Sequence, residues 1–172
     1  HELGLRESSG LDLVVKSEAL KMKNFEVLPA WIDYNGHMTD FRYAQVFSET
    51  CDHMLGLLGM DDEYVNNGYG YYTTECKINY LDECKLGQRL YTTCQLVSGS
   101  PKHIHAYFEL CCEETNEAIA VSEQLFLHVA RDQGGVCAAR QDIADNVMAL
   151  VEAHKMLPAP SSVGRHVGQR DK

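Results

Sequence analysis

The chain has 172 residues, 45% of them apolar, and a formal net charge of -10. That length suits one domain with one sizeable core, and the acidic balance speaks against a nucleic-acid partner while leaving room for a local basic patch toward a polyanion. No apolar run approaches the ~20 residues of a membrane helix, and no basic start with an apolar stretch marks a secretory signal, so no membrane partner is expected.

Residues 1–23 read as a lead-in: a tag, a linker or the junction to an upstream domain. One domain is expected over 24–157. A tail follows over 158–172, where Pro158, Pro160, Gly164 and Gly168 speak for loop. Phe25 to Ile32 reads as a strand that Pro29, lacking a ladder donor, confines to an edge or a bulge. Asp33 to Thr39 is a polar loop around the turn dipeptide Asn35-Gly36. Phe41, Ala44, Phe47, Cys51, Met54, Leu55 and Leu58 then recur at three- and four-residue spacing. They form one apolar stripe of a long helix, which Thr39 or Asp40 can cap and Gly59 can stop. Asp61 to Gly70 reads as loop.

Four alternating segments come next: Tyr72 to Tyr80, Leu90 to Leu96, Ile104 to Leu110 and Ile119 to Val129, the last interrupted by Glu123. Turn-rich joints such as Ser98-Gly99-Ser100-Pro101 predict an antiparallel meander. Ile143, Val147, Leu150, Val151 and His154 mark a final amphipathic helix. The fold class is therefore α+β. One long helix leaves a face of such a sheet bare, which predicts a dimer or a larger assembly. The seven Cys form no Cys-x-x-Cys pair. They speak against a disulfide framework and for a reducing, cytoplasmic setting, most of them as small core residues.

Asp33, Asn35 and His37 alternate just before the long helix. A helix start offers free N–H groups and a positive dipole end, which can hold a carbonyl oxygen as it gains negative charge. Asp33 would then attack the carbonyl or activate water. An ordinary capped turn uses the same residue types. Glu83, after the second long strand, is a second carboxylate able to reach this loop within one chain or across a dimer, and two carboxylates can take different roles. Tyr69, Tyr71 and Tyr72 form an unusual aromatic run, with Trp31 two residues before Asp33. Aromatic faces attract cations, and strand packing is the alternative. His103 and His105 share a strand face without a third ligand, so no metal site is expected. No Gly-x-Ser-x-Gly elbow and no phosphate-binding glycine loop occurs.

Asp33-x-Asn35-x-His37 before a helix, with Glu83-Cys84 after the second strand, resembles the acyl-ACP thioesterases of the hotdog superfamily. The Asp of that loop looks like the catalytic Asp of 4-hydroxybenzoyl-CoA thioesterase. Thr39-Asp40 departs from the acyl-ACP pattern, which often carries Asn there. A wider resemblance covers roughly residues 25 to 169. Val27-Leu28-Pro29-x-Trp31-Ile32-Asp33-Tyr34-Asn35-Gly36-His37-Met38-Thr39, Arg42-Tyr43, Tyr71-Tyr72-Thr73, Glu123-Gln124 and Gly164-Arg165-His166 are similar to the betainyl-CoA thioesterases of carnitine degradation, which stand alone or fused behind L-carnitine dehydrogenase.

The resemblance implies a hotdog fold, an antiparallel sheet wrapped around a long central helix and paired into a homodimer or a dimer of dimers. It implies hydrolysis of betainyl-CoA to glycine betaine and CoA, with a functional link to L-carnitine dehydrogenase. Asp33 would be nucleophile or base, Asn35 and His37 would orient substrate and stabilise the oxyanion, and Glu83 would assist proton transfer. Trp31, Tyr69, Tyr71 and Tyr72 would face the trimethylammonium group. Arg42 and Arg165, with Arg89 and Lys102 as further candidates, would meet the phosphates of CoA. No cofactor is implied, since CoA is part of the substrate.

Overall fold

A computed structural model describes residues 18–170, so most of the expected lead-in lies outside the described residues. The first strand, β1, spans Leu20–Glu26, earlier than the expected Phe25 start. It also ends at Glu26 and not at the expected Ile32, and Pro29 explains that end. The proline opens a 3-10 turn over Pro29–Trp31, because a residue without an N–H cannot extend a ladder. The long helix α1 spans Asp40–Leu57. Its buried face carries Tyr43, Val46, Phe47, Thr50, Cys51, Met54 and Leu55. Phe41, which the apolar stripe included, is 57% exposed, and Ala44 is exposed too. Phe41 sits in the first turn, where its ring lies under the Arg42 guanidinium at 4.6 Å.

The segment expected as loop over Asp61–Gly70 holds a short helix, α2, over Asp62–Asn66. The Asp61 side chain caps it by accepting the Tyr64 N–H at 2.8 Å. Strands β2 (Tyr69–Tyr80), β3 (Arg89–Gly99), β4 (His103–Cys112) and β5 (Ala118–Ala130) follow, then helix α3 (Gln141–His154). All pairings are antiparallel, in the order β1-β3-β4-β5-β2. The expected four-strand meander is thus confined to β3, β4 and β5. Among the described residues strand β2 pairs only with β5, from Tyr69 opposite Ala130 to Tyr80 opposite Ala120. The chain crosses from that edge to β3 through residues 81–88. Alternation identifies a strand's two faces but not its neighbour.

Helix α1 lies against one face of the sheet. Thr50 Oγ1 donates to the Val46 carbonyl at 2.8 Å and meets Thr92 Oγ1 of β3 at 2.9 Å, which satisfies two buried hydroxyls. Five of the seven Cys are buried, as small core residues. Helix α3 packs beside the end of α1, where Asn146 Nδ2 donates to Leu58 O at 3.0 Å. It also presses on β3 at Gly99, where a Cβ would come within 2.7 Å of Val147 Cγ1, closer than packed atoms allow.

Two buried histidines take part in the hydrogen bonding of the core. Strand β1 begins at Leu20 opposite Cys94, so the Leu96 N–H lacks a strand partner on that side. His154 Nδ1 accepts it at 2.9 Å. His128 Nδ1 lies 2.9 Å from the Cys137 carbonyl, so it donates there, and Nε2 accepts from Tyr64 Oη at 2.6 Å. Both rings are therefore neutral, and burial pushes both below the ordinary histidine value. A base with a depressed folded value keeps its full stabilisation above the unfolded value of about 6.5. That stabilisation is lost as pH falls toward the folded value. Urea midpoints are accordingly expected to hold above pH ~7 and to drop below it, with a slope of up to about 1.4 kcal/mol per pH unit per histidine. Equal unfolding free energies at pH 7.5 and pH 5.5 would contradict this.

Candidate active site at the start of the central helix

The loop before α1 is a closed turn. Asp33 N–H donates to His37 O at 3.0 Å, and Gly36 N–H returns to Asp33 O at 3.0 Å. Gly36 has a φ of 80°, a left-handed conformation open to glycine at little cost. Asp33 Oδ1 accepts the Asn35 N–H at 2.8 Å, an Asx turn that fixes the carboxylate. Among the described residues no hydrogen bond engages Oδ2. The Asn35 side chain is exposed and Tyr34 is 97% exposed, so the loop presents its chemistry outward.

Glu83 reaches this loop within one chain. The Leu81 and Asp82 N–H groups both donate to Ile119 O, at 2.9 and 3.1 Å, and Met38 N–H donates to Cys84 O at 2.9 Å. These bonds tie the connection after β2 to the loop and bring Glu83 Oε2 to 2.9 Å from His37 Nε2. The two side chains are 63% and 35% exposed, so the pair adds at most about 1 kcal/mol to stability. Its consequence is orientation of the imidazole. The four residues expected to act together thus share one end of the sheet.

The helix start has fewer free donors than the pattern suggested. Phe41 N–H is taken by Asp40 Oδ1 at 2.8 Å and Arg42 N–H by Thr39 O at 3.0 Å. Arg42 stands next to the loop, with Nη1 on Gln45 Oε1 at 2.8 Å and Nη2 on Ala30 O at 3.4 Å.

The other expected substrate residues lie elsewhere in the protomer. Trp31 is buried in the core beneath the loop, where its carbonyl accepts the Thr39 N–H. It has no open face. Tyr71 is also buried, 5.0 Å from the His128 ring, while Tyr69 and Tyr72 are 38% and 48% exposed. The tyrosines sit at the start of β2 and Glu83 follows its end. Tyr80 stands nine positions after Tyr71, roughly 30 Å of extended chain. Lys102 is at that distant end as well, its carbonyl accepting the His128 N–H. Arg89 lines a cleft of about 550 Å³ with Leu86, Gly87, Gln88, Cys112, Glu113 and Glu114.

Arg165 belongs to a different feature, on the face of the sheet turned away from α1. Residues 158–170 run over that face. Lys77 Nζ donates to Ser162 O at 2.9 Å and Arg165 O at 2.6 Å, and pairs with Glu123 Oε1 at 3.0 Å. Glu123 also accepts from His105 Nε2 at 2.7 Å and from Gly164 N–H at 3.1 Å. A cavity of about 440 Å³ beside this cluster is lined by Cys76, Lys77, His105, Glu123, Arg165 and His166 among others. Sequence reading left Lys77 out and took Glu123 as a break in alternation and as part of the resemblance, with no role in a cluster. The break was the available signal, since an acidic residue inside a strand needs a partner. His105 is spoken for by Glu123, and His103 by Ser100 Oγ at 2.7 Å.

Known proteins resemble this chain over most of its length. The profile of the Thioesterase-like superfamily matches residues 27–163. A Rhizobium meliloti (strain 1021) protein named L-carnitine dehydrogenase/betainyl-CoA thioesterase is 41% identical over 169 residues, 98% of this chain and 34% of that one. The chain thus spans about a third of the length of such fused relatives. A Pseudomonas aeruginosa protein named betainyl-CoA thioesterase is 37% identical over 153 residues, 88% of this chain and 96% of that one. A hypothetical protein from Staphylococcus aureus, solved in complex with CoA, superposes with a TM-score of 0.82 at 18% identity, over 90% of this chain and 98% of that one. At that identity the likeness is one of fold.

Proposed function

This chain belongs to the Thioesterase-like superfamily, and on that premise we propose that it hydrolyses a short acyl-CoA thioester, with betainyl-CoA as the substrate. The observation that carries the reading is the loop at the start of α1. Its Asp33 is held by one carboxylate oxygen, and its His37 is held by Glu83. Asp33 Oδ2 is the atom that takes the proton of the attacking water or itself attacks the thioester carbonyl. The C–S bond breaks as the tetrahedral intermediate collapses. In the base route Asp33 returns the proton to the sulfur, which leaves as CoA thiol, and the acyl group carries the water oxygen away as glycine betaine; in the nucleophilic route the thiolate takes its proton from solvent and the acyl group stays on Asp33 as an anhydride, which water then cleaves to glycine betaine and the free carboxylate. Asn35 and His37 steady the developing oxyanion, and Glu83 orients His37.

Names of relatives support the betainyl group, and the tyrosines supply a chemical reason for it. One chain cannot bring Tyr69 or Tyr72 to its own Asp33. A second copy can, because β2 is an edge strand twelve residues long. Antiparallel pairing of two β2 strands about their midpoint sets the Tyr69–Tyr72 end of one copy beside the Tyr80 end of the other. The proposed active unit is therefore a homodimer whose exposed tyrosine faces meet the trimethylammonium group.

Rates of thiol release from betainyl-CoA and from its neutral isostere 3,3-dimethylbutyryl-CoA test the reading. One or two good cation–aromatic contacts predict a preference for the cation of roughly 2- to 30-fold in kcat/KM. Preference for the neutral isostere would remove the aromatic role. Absence of thiol release from every short acyl-CoA would remove the hydrolase.

A further inference from the structure

We propose that Tyr43 is a positioning residue for the reaction: its hydroxyl, acting from the core, holds the two residues that flank Glu83, Asp82 by its carbonyl and Cys84 by its thiol, and so keeps Glu83 on His37. The inference rests on the hydrolysis proposed above. Tyr43 lies on the buried face of α1 and is 4% exposed. Its hydroxyl is 3.4 Å from Cys84 Sγ and 3.4 Å from Asp82 O, the two residues that flank Glu83. The ring is braced edge-on against Tyr80 at the end of β2, 5.1 Å between centroids and 87° between planes.

The chemistry of these groups makes the hydroxyl a donor. Burial pushes the Tyr43 phenol well above its ordinary range, and burial likewise pushes the Cys84 thiol up to about 11. Both are neutral at physiological pH, so the phenol keeps its proton. A length of 3.4 Å is ordinary for a large sulfur acceptor and long for a carbonyl. The bond is bifurcated, with the thiol as its main acceptor.

The consequence passes to the site through Cys84. This residue is fully buried, and its carbonyl accepts the Met38 N–H at 2.9 Å, one residue beyond His37. The Asp82 side chain accepts the Glu83 N–H at 2.8 Å. One core hydroxyl therefore fixes Asp82 and Cys84, and these carry both members of the His37–Glu83 contact. A phenylalanine would fill the same core without a polar group to satisfy. The hydroxyl has a purpose that packing alone does not supply.

A double-mutant cycle separates positioning from packing. Tyr43→Phe is expected to lower kcat for betainyl-CoA roughly 3- to 10-fold, leaving KM within about twofold. In the Glu83→Gln background the same substitution is expected to cost nothing further. Full activity of Tyr43→Phe, or losses that multiply across the two backgrounds, overturns the inference and leaves the hydrolase intact. If the parent released no thiol the hydrolase would fall, and amide exchange would still decide the positioning. Tyr43→Phe speeds exchange of the Met38 N–H roughly 3- to 10-fold if the hydroxyl holds the segment. Unchanged exchange overturns it.

Discussion

Asp33→Asn is expected to lower kcat/KM for betainyl-CoA by about 10²–10⁴, the largest change any single substitution in this chain should cause. Asparagine keeps the loop. Its carbonyl oxygen can accept the Asn35 N–H as Asp33 Oδ1 does at 2.8 Å, so the Asx turn survives. Lost is the second oxygen, replaced by an amide that can neither take a proton from water nor attack a carbonyl. The deficit should therefore appear in kcat, with KM little changed, because the contact is made only on the way to the transition state. Thiol release followed with a chromogenic disulfide measures it. Turnover by Asp33→Asn at the parental rate would remove Asp33 from the mechanism. Asp33→Ala should be worse in a second respect, because it also releases the turn.

Lys77→Met should cost about 1–3 kcal/mol of stability, less than removal of one partner from a fully buried pair. Lys77 and Glu123 are 16% and 15% exposed. The substitution leaves a nearly buried carboxylate with one partner fewer and cuts two bonds to the backbone of residues 158–170. Burial by itself would raise the Glu123 carboxyl. The hydrogen bonds from Lys77, His105 and Gly164 outweigh it and hold the group below the ordinary carboxylate value. A carboxylate depressed in the fold contributes stability above its unfolded value of about 4.3. That contribution is lost as pH falls through the folded value. The difference between parent and Lys77→Met should thus be greatest at neutral pH and shrink in acid below about pH 4. Denaturant midpoints give the energy. Limited proteolysis gives its location, since the variant should be cut first after residue 158. Equal stability at pH 7, with an uncut tail, would show that the cluster holds nothing.

The sequence was most legible where one physical signal had one meaning. Spacing of Phe47, Cys51, Met54 and Leu55 marked α1, and alternation marked the four strands. The common loop of Asp33 and His37 was readable because a turn dipeptide before an apolar stripe marks a loop at a helix start, whereas the approach of Glu83 to it depended on how the second long strand runs. Phe41 and Ala44 kept the spacing and missed the core, since periodicity does not say where a helix overhangs its sheet. Strand neighbours were not readable. Tyr69–Tyr72 and Glu83 lie at opposite ends of one strand, and that strand's length holds them apart within one protomer. Tyr43 stood outside the apolar stripe and entered only through the resemblance, since nothing local says that its hydroxyl meets Cys84, which lies 41 residues away. Contacts of that separation come from the topology.

Strand β2 has a consequence beyond the site. Among the described residues it is an edge strand of the sheet, and an uncovered edge can template any extended chain, including a misfolded one. Two features limit that hazard. A bulge between Thr73 and Glu75 breaks the flat repeat, and the charged Glu75 and Lys77 follow it at mid-strand. A slip of one residue would turn those charges onto the wrong face. The same residues that make indiscriminate stacking costly would allow a single self-complementary register in the proposed dimer, so one short stretch of sequence would both hinder wrong pairing and select the right one.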